Sequence, residues 1–152
     1  MYANDMTVVQ GSPRVKLIGP DGGIKEDVAY PNLVVDSGLA YLISRALESD
    51  KQVMSHMALG AGTTAAAPSD TALESQLGER VAFDSSTPAG GNGDQMIYTA
   101  TFGPGQATGA VTEAGVFNAA SGGDMLCRTV FPVVNKQADD TMVITWTVTL
   151  SS

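Results

Sequence analysis

The chain is poor in basic residues: eight Lys and Arg stand against 16 Asp and Glu, a net charge of −8 over 152 residues. Its cations (Arg14, Lys16, Lys25, Arg45, Lys51, Arg80, Arg128 and Lys136) are scattered along the sequence. A nucleic-acid surface needs clustered cations to displace counterions, so no nucleic-acid partner is expected. There is one cysteine, Cys127, and one histidine, His56. A lone cysteine makes no intramolecular disulfide, and one Cys with one His does not fill a tetrahedral zinc shell. Apolar runs are only a few residues long, far short of the ~20 that a membrane-spanning helix needs. The opening Met1–Asp5 lacks the basic and apolar regions of a secretory leader. The expectation is one soluble domain held by packing, with no cofactor, metal or membrane association.

What the chain does have is alternation. Over 141–150, Met142, Ile144, Trp146, Val148 and Leu150 point one way and the threonines between them the other. A period of two marks a strand with one apolar face. Shorter runs over 14–18, 24–30, 53–59, 81–83, 96–102, 111–117 and 125–131 read as strands, separated by turn signals such as Gly19-Pro20-Asp21-Gly22-Gly23. Leu39, Leu42, Ile43, Ala46 and Leu47 recur at helical spacing behind Asp36 or Ser37 as N-cap. Thr71 with Glu74 three residues on matches a capping box, with Gly78 as the stop of a second short helix. The fold class expected is mainly β: an antiparallel β-sandwich or jelly roll with one or two short helices. Residues 1–12, weakly periodic, read as an N-terminal arm, and 13–152 as a single domain.

Little in the sequence points to catalysis. His56 lacks a recognisable nucleophile pairing and reads as a half-buried structural residue. Gly60-Ala61-Gly62 and Gly103-Pro104-Gly105 read as turns rather than phosphate cradles. Ala89–Asp94 and Asp139-Asp140 read as solvated turns, without the acidic spacing of a calcium loop. Cys127 reads as a small apolar filler, and Met54, Met57, Met96, Met125 and Met142 as core. Glu113 is the most informative charge, because it stands inside the apolar run Val111–Phe117. A carboxylate there is costly to bury unless paired, and Arg80 and Arg128 are its candidate partners in a structural ion pair. Gly115 beside it suggests a bulge or a close approach.

Five stretches stand in a suggestive order: Asn32–Ala40, Met57–Thr63, Asp70–Glu74 with Arg80, Thr112–Asn118, and Met125–Arg128. This order, spread over about residues 30–150, resembles small virion structural proteins of tailed bacteriophages. More distantly it is similar to the N-terminal attachment domain of tail-collar fibre proteins. The resemblance implies a β-rich module without catalysis, assembled in the host cytoplasm and docked onto other virion proteins. No fibre shaft follows before Ser152. The expectation is therefore a capsid decoration (cement) protein bound to the major capsid protein and clamping capsomers. The alternative is a tail, collar or baseplate accessory that attaches fibres. A homo-oligomer is expected, and a trimer would suit either location. Met6, Val8 and Val9 are the partner-binding candidates, in an arm that would add a strand to a neighbour's sheet edge.

Overall fold

The computed structural model describes residues 8–47 and 50–151. Two five-stranded antiparallel sheets form a β-sandwich. The first takes β1 (Val8–Ile18), β2 (Ile24–Ala29), β6 (Ser85–Ala89), β7 (Gln95–Phe102) and β10 (Thr141–Ser151), in the order β2-β1-β10-β7-β6. The second takes β3 (Leu33–Val34), β4 (His56–Gly60), β5 (Val81–Ala82), β8 (Gly109–Phe117) and β9 (Met125–Lys136), in the order β3-β9-β8-β4-β5. The single helix among the described residues, α1 (Asp36–Ser44), packs against β9.

Alternation along the strands builds the core. Val15 and Leu17 of β1, Ala100 and Phe102 of β7, and Met142, Ile144, Trp146 and Val148 of β10 meet Met57 and Leu59 of β4 and Ala114 and Val116 of β8. β9 breaks strict alternation twice, and both breaks are register shifts against β8. Val116 pairs with Cys127 but Phe117 with Met125, so Leu126 is the extra residue. That bulge lets Leu126 and Cys127, neighbours in sequence, both enter the core. The other shift falls where Pro132 lacks an N–H for the ladder.

Several local expectations are corrected. Residues 8–12 are not an arm: β1 starts at Val8 and pairs with β10 from Val8↔Ser151 onward, Val9 lying opposite Leu150. Met6 lies outside the described residues. The helix has Val35 as its N-cap, with no side-chain cap, and Ser37 donates instead to the Met125 carbonyl at 2.7 Å. It buries Gly38 and Tyr41 rather than the Leu39, Ile43 and Leu47 stripe, which is 42, 67 and 68% exposed. Gly38 decides this orientation, because a Cβ there would run into the backbone of Leu126. The strand β6, Ser85–Ala89, is too polar to have shown as one in the sequence.

Asp140 is likewise no solvated turn. Its side chain is buried, with the Lys25 ammonium at 2.8 Å and the Gln137 N–H at 2.9 Å. Those two bonds hold its carboxyl below the usual carboxylate range. Lys136, also buried, donates to the Gly103 carbonyl at 2.9 Å, and burial lowers its pKa.

Two outcomes check this packing. Gly38→Ala should destabilise the fold by about 1–3 kcal/mol in denaturant unfolding, since backbone cannot yield to the new methyl. A loss within measurement error would show that α1 has room to shift. For Asp140, a carboxyl lowered in the fold adds stability above its unfolded pKa and loses it as pH falls through the folded one. The stability gap between the native protein and Asp140→Asn should then be full at pH 6 and shrink below about pH 4. A gap independent of pH would contradict the pairing.

Candidate functional site

The chemistry-bearing residues converge on the outer face of the second sheet. Residues 61–80, with no helix and only one isolated bridge (Gly60↔Gln76), run across this face as a strap. Glu113 points out of β8 beneath it and is fully buried. Its Oε1 accepts the N–H groups of Gly62 at 3.1 Å and Ser75 at 2.7 Å. Its Oε2 accepts the Glu74 N–H at 3.0 Å and both Nε (3.0 Å) and Nη2 (2.8 Å) of Arg128. Arg128, on β9 and 2% exposed, turns its remaining Nη1 to Asp70 at 2.9 Å. Asp70 in turn accepts the Ala67 N–H at 2.9 Å, closing a turn within the strap.

Of the two predicted partners, then, Arg128 pairs with Glu113 and Arg80 does not. Arg80 sits at the far end of the strap, where its guanidinium lies 3.6 Å from the Phe117 ring centroid. It donates to the carbonyls of Ala119 at 2.9 Å and Gly122 at 2.8 Å, pinning the β8–β9 turn. Partial burial lowers its pKa.

Glycines make the latch possible. A Cβ on Gly60 or Gly62 would run into the Glu113 carboxylate. Gly115 is not itself a bulge; it leaves room for Leu73 of the strap, which reaches a satellite core of Val35, Ala58, Phe117 and Met125. The expected helix over 71–77 is absent because its amides have other work: Glu74 and Ser75 give their N–H groups to Glu113. The Glu74 carboxyl is held below its ordinary value by the Thr64 side chain, aided by the Thr63 and Thr64 backbone and the Arg128 charge. The sequence did not disclose Asp70 as the third member of the ion network, although the residue opens the Asp70–Glu74 stretch of the resemblance.

Elsewhere, the Ser55 hydroxyl lies 2.7 Å from His56 Nδ1, with both residues half-buried. This adjacent pair borders none of the grooves described here. Burial pushes the Cys127 thiol well up, so it is a poor nucleophile. Among the described residues no three His, Cys, Asp or Glu side chains cluster to hold a metal ion. No helix among them is long and apolar enough to cross a membrane. Two grooves of about 540 and 550 Å³ open on the surface. The first is apolar, between α1 and the β6–β7 hairpin, floored by Tyr41, Met54 and Tyr98. The second runs between the start of β1 and residues 31–34. Comparison with known protein families, curated proteins and solved structures finds no match.

Glu113→Gln should cost about 3–5 kcal/mol, because it strands the buried Arg128 charge. Glu113→Leu combined with Arg128→Met should lose much less than the sum of the single changes. Urea unfolding of the native protein, Glu113→Leu, Arg128→Met and the double variant measures the coupling, and additive losses would mean that the pair does not act as a unit.

Proposed function

We propose that this protein is a non-enzymatic virion structural protein of a tailed phage, a decoration (cement) protein docked on the outer capsid shell. The observation that carries the non-enzymatic part is saturation of the latch. Both oxygens of Glu113 and all three guanidinium nitrogens of Arg128 are engaged in the fold, leaving the carboxylate no free lone pair to act on a substrate. The stretches that carry the phage resemblance are the same ones that meet here. Gly60, Gly62, Asp70, Glu74, Glu113, Gly115 and Arg128 are far apart in sequence and together form one strap anchor. A family pattern made of such residues specifies a scaffold.

Docking is supported by the surface. Leu39, Ile43 and Leu47 along α1 and the tail following it, with Val53 beside the apolar groove at 60% exposure, leave apolar area uncovered. Apolar area of this kind marks interaction sites. Burying it at capsomer junctions stabilises the shell by mass action.

The purified protein should bind expanded empty shells and raise their melting temperature. Ile43→Asp with Leu47→Asp should weaken that binding by about tenfold or more while leaving the protein's own unfolding midpoint nearly unchanged. Binding to isolated tails with none to shells would move the protein to the fibre-attaching role. Binding to neither would sink the virion reading.

A further inference from the structure

The sandwich protects most of its sheet edges. β3 and β5 are two residues each, β6 carries Pro88, and β2 carries Lys25, Glu26 and Asp27. The first half of β1 has no such device. β2 pairs with β1 only over Arg14–Ile18, so Val9–Ser12 is paired on its β10 side and pairs with no described strand on the other. Tyr30 donates to the Pro13 carbonyl on that open side at 2.9 Å. Amide direction alternates along an antiparallel strand, so Gly11 and Val9 turn their N–H and C=O groups the same way. The groove of about 550 Å³ lies alongside, with Gln10, Ser12, Thr147 and Thr149 on one wall and Asn32 on the other. The Asn32 carboxamide packs onto Gly11, and neither its oxygen nor its nitrogen has a hydrogen-bond partner among the described residues.

We propose that this edge receives an extended, uncharged segment of another virion protein as an added strand of the first sheet. The inference rests on the docking reading above. It reverses the direction expected from the sequence: Val9 belongs to an edge that accepts a strand rather than to an arm that donates one. The groove's polar residues are neutral, which suits an uncharged segment. A second copy is disfavoured, because each copy brings a net charge of −8.

The test uses shells purified without the protein. Val9→Pro removes an edge donor and spares the bonds that Gln10 and Ser12 make to β10; Ser12→Lys places a charge on the groove wall and leaves the backbone intact. Each should weaken shell binding by about tenfold, with the unfolding midpoint close to that of the native protein. In hydrogen exchange, the Val9 and Gly11 amides should be fast in the free protein and slow on the shell. Native-like binding by Ser12→Lys, together with unprotected amides on the shell, would overturn the edge and leave the docking reading standing. Amides already slow in the free monomer, or slow only in a self-associated form, would also overturn it. Failure of the native protein to bind shells or tails would instead remove the docking reading beneath it.

Discussion

A fully buried carboxylate is the constraint around which the second sheet is organised. Water would solvate Glu113 well, so burying it is tolerable only if every lone pair is met. Three backbone N–H groups from the strap and two guanidinium nitrogens meet them. A strap of twenty residues without regular structure would otherwise be a loose cover. Here its path is dictated at Gly62, Glu74 and Ser75, because a shift of one residue would leave an anion unmatched in the interior. Breaking such a pair costs more than the pair contributes, and its effect is to make one arrangement unique. Leu73 then drops into the satellite core as a consequence of that register.

Strands whose two faces meet different surroundings were legible. β10 alternates buried and half-exposed side chains from Thr141 to Thr149, and the alternation in the sequence is the same physical fact. Glu113 was legible too, because a charge within an apolar run contradicts its surroundings. Choosing between Arg80 and Arg128 was not, since the choice depends on which way the strap crosses. Arg128 sits opposite Gly115 in the β8–β9 ladder, two residues from Glu113 on the same face. Arg80 follows the strap to its far end and reaches Phe117 and the β8–β9 turn instead.

The two misread helices have different causes. Thr71–Glu74 has the spacing of a capping box, but a local capping preference worth about 1 kcal/mol gives way to the demand of a buried anion for amide donors. In α1 the apolar spacing is genuinely helical, but the cap and the facing were misread. Gly38 has no side chain to mark it as a contact in a hydrophobic pattern, yet its absence of a Cβ sets the closest approach to β9. Tyr41 then turns inward, and Leu39 and Ile43 are left outside. Patterns built on large residues miss interfaces built on small ones.

The latch and the open edge of β1 are mechanically linked. β9 holds Arg128 for the ion network and, at that same residue, pairs with Leu33 of β3. The next residue, Thr129, donates to the Pro31 carbonyl at 2.8 Å. Residues 31–34 are therefore fixed to β9 by backbone and side chain while forming one wall of the groove at β1. A third, smaller cavity lies on the strap side of the same segment, lined by Asn32, Thr63, Ala66 and Arg128. The segment thus has the latch behind it and the groove before it. Loss of the Glu113–Arg128 pair would act on the groove by freeing its wall, at a distance from any partner contact. If the groove receives a strand as proposed, a rigid wall lowers the ordering cost of adding it, which is where pre-organisation contributes to affinity.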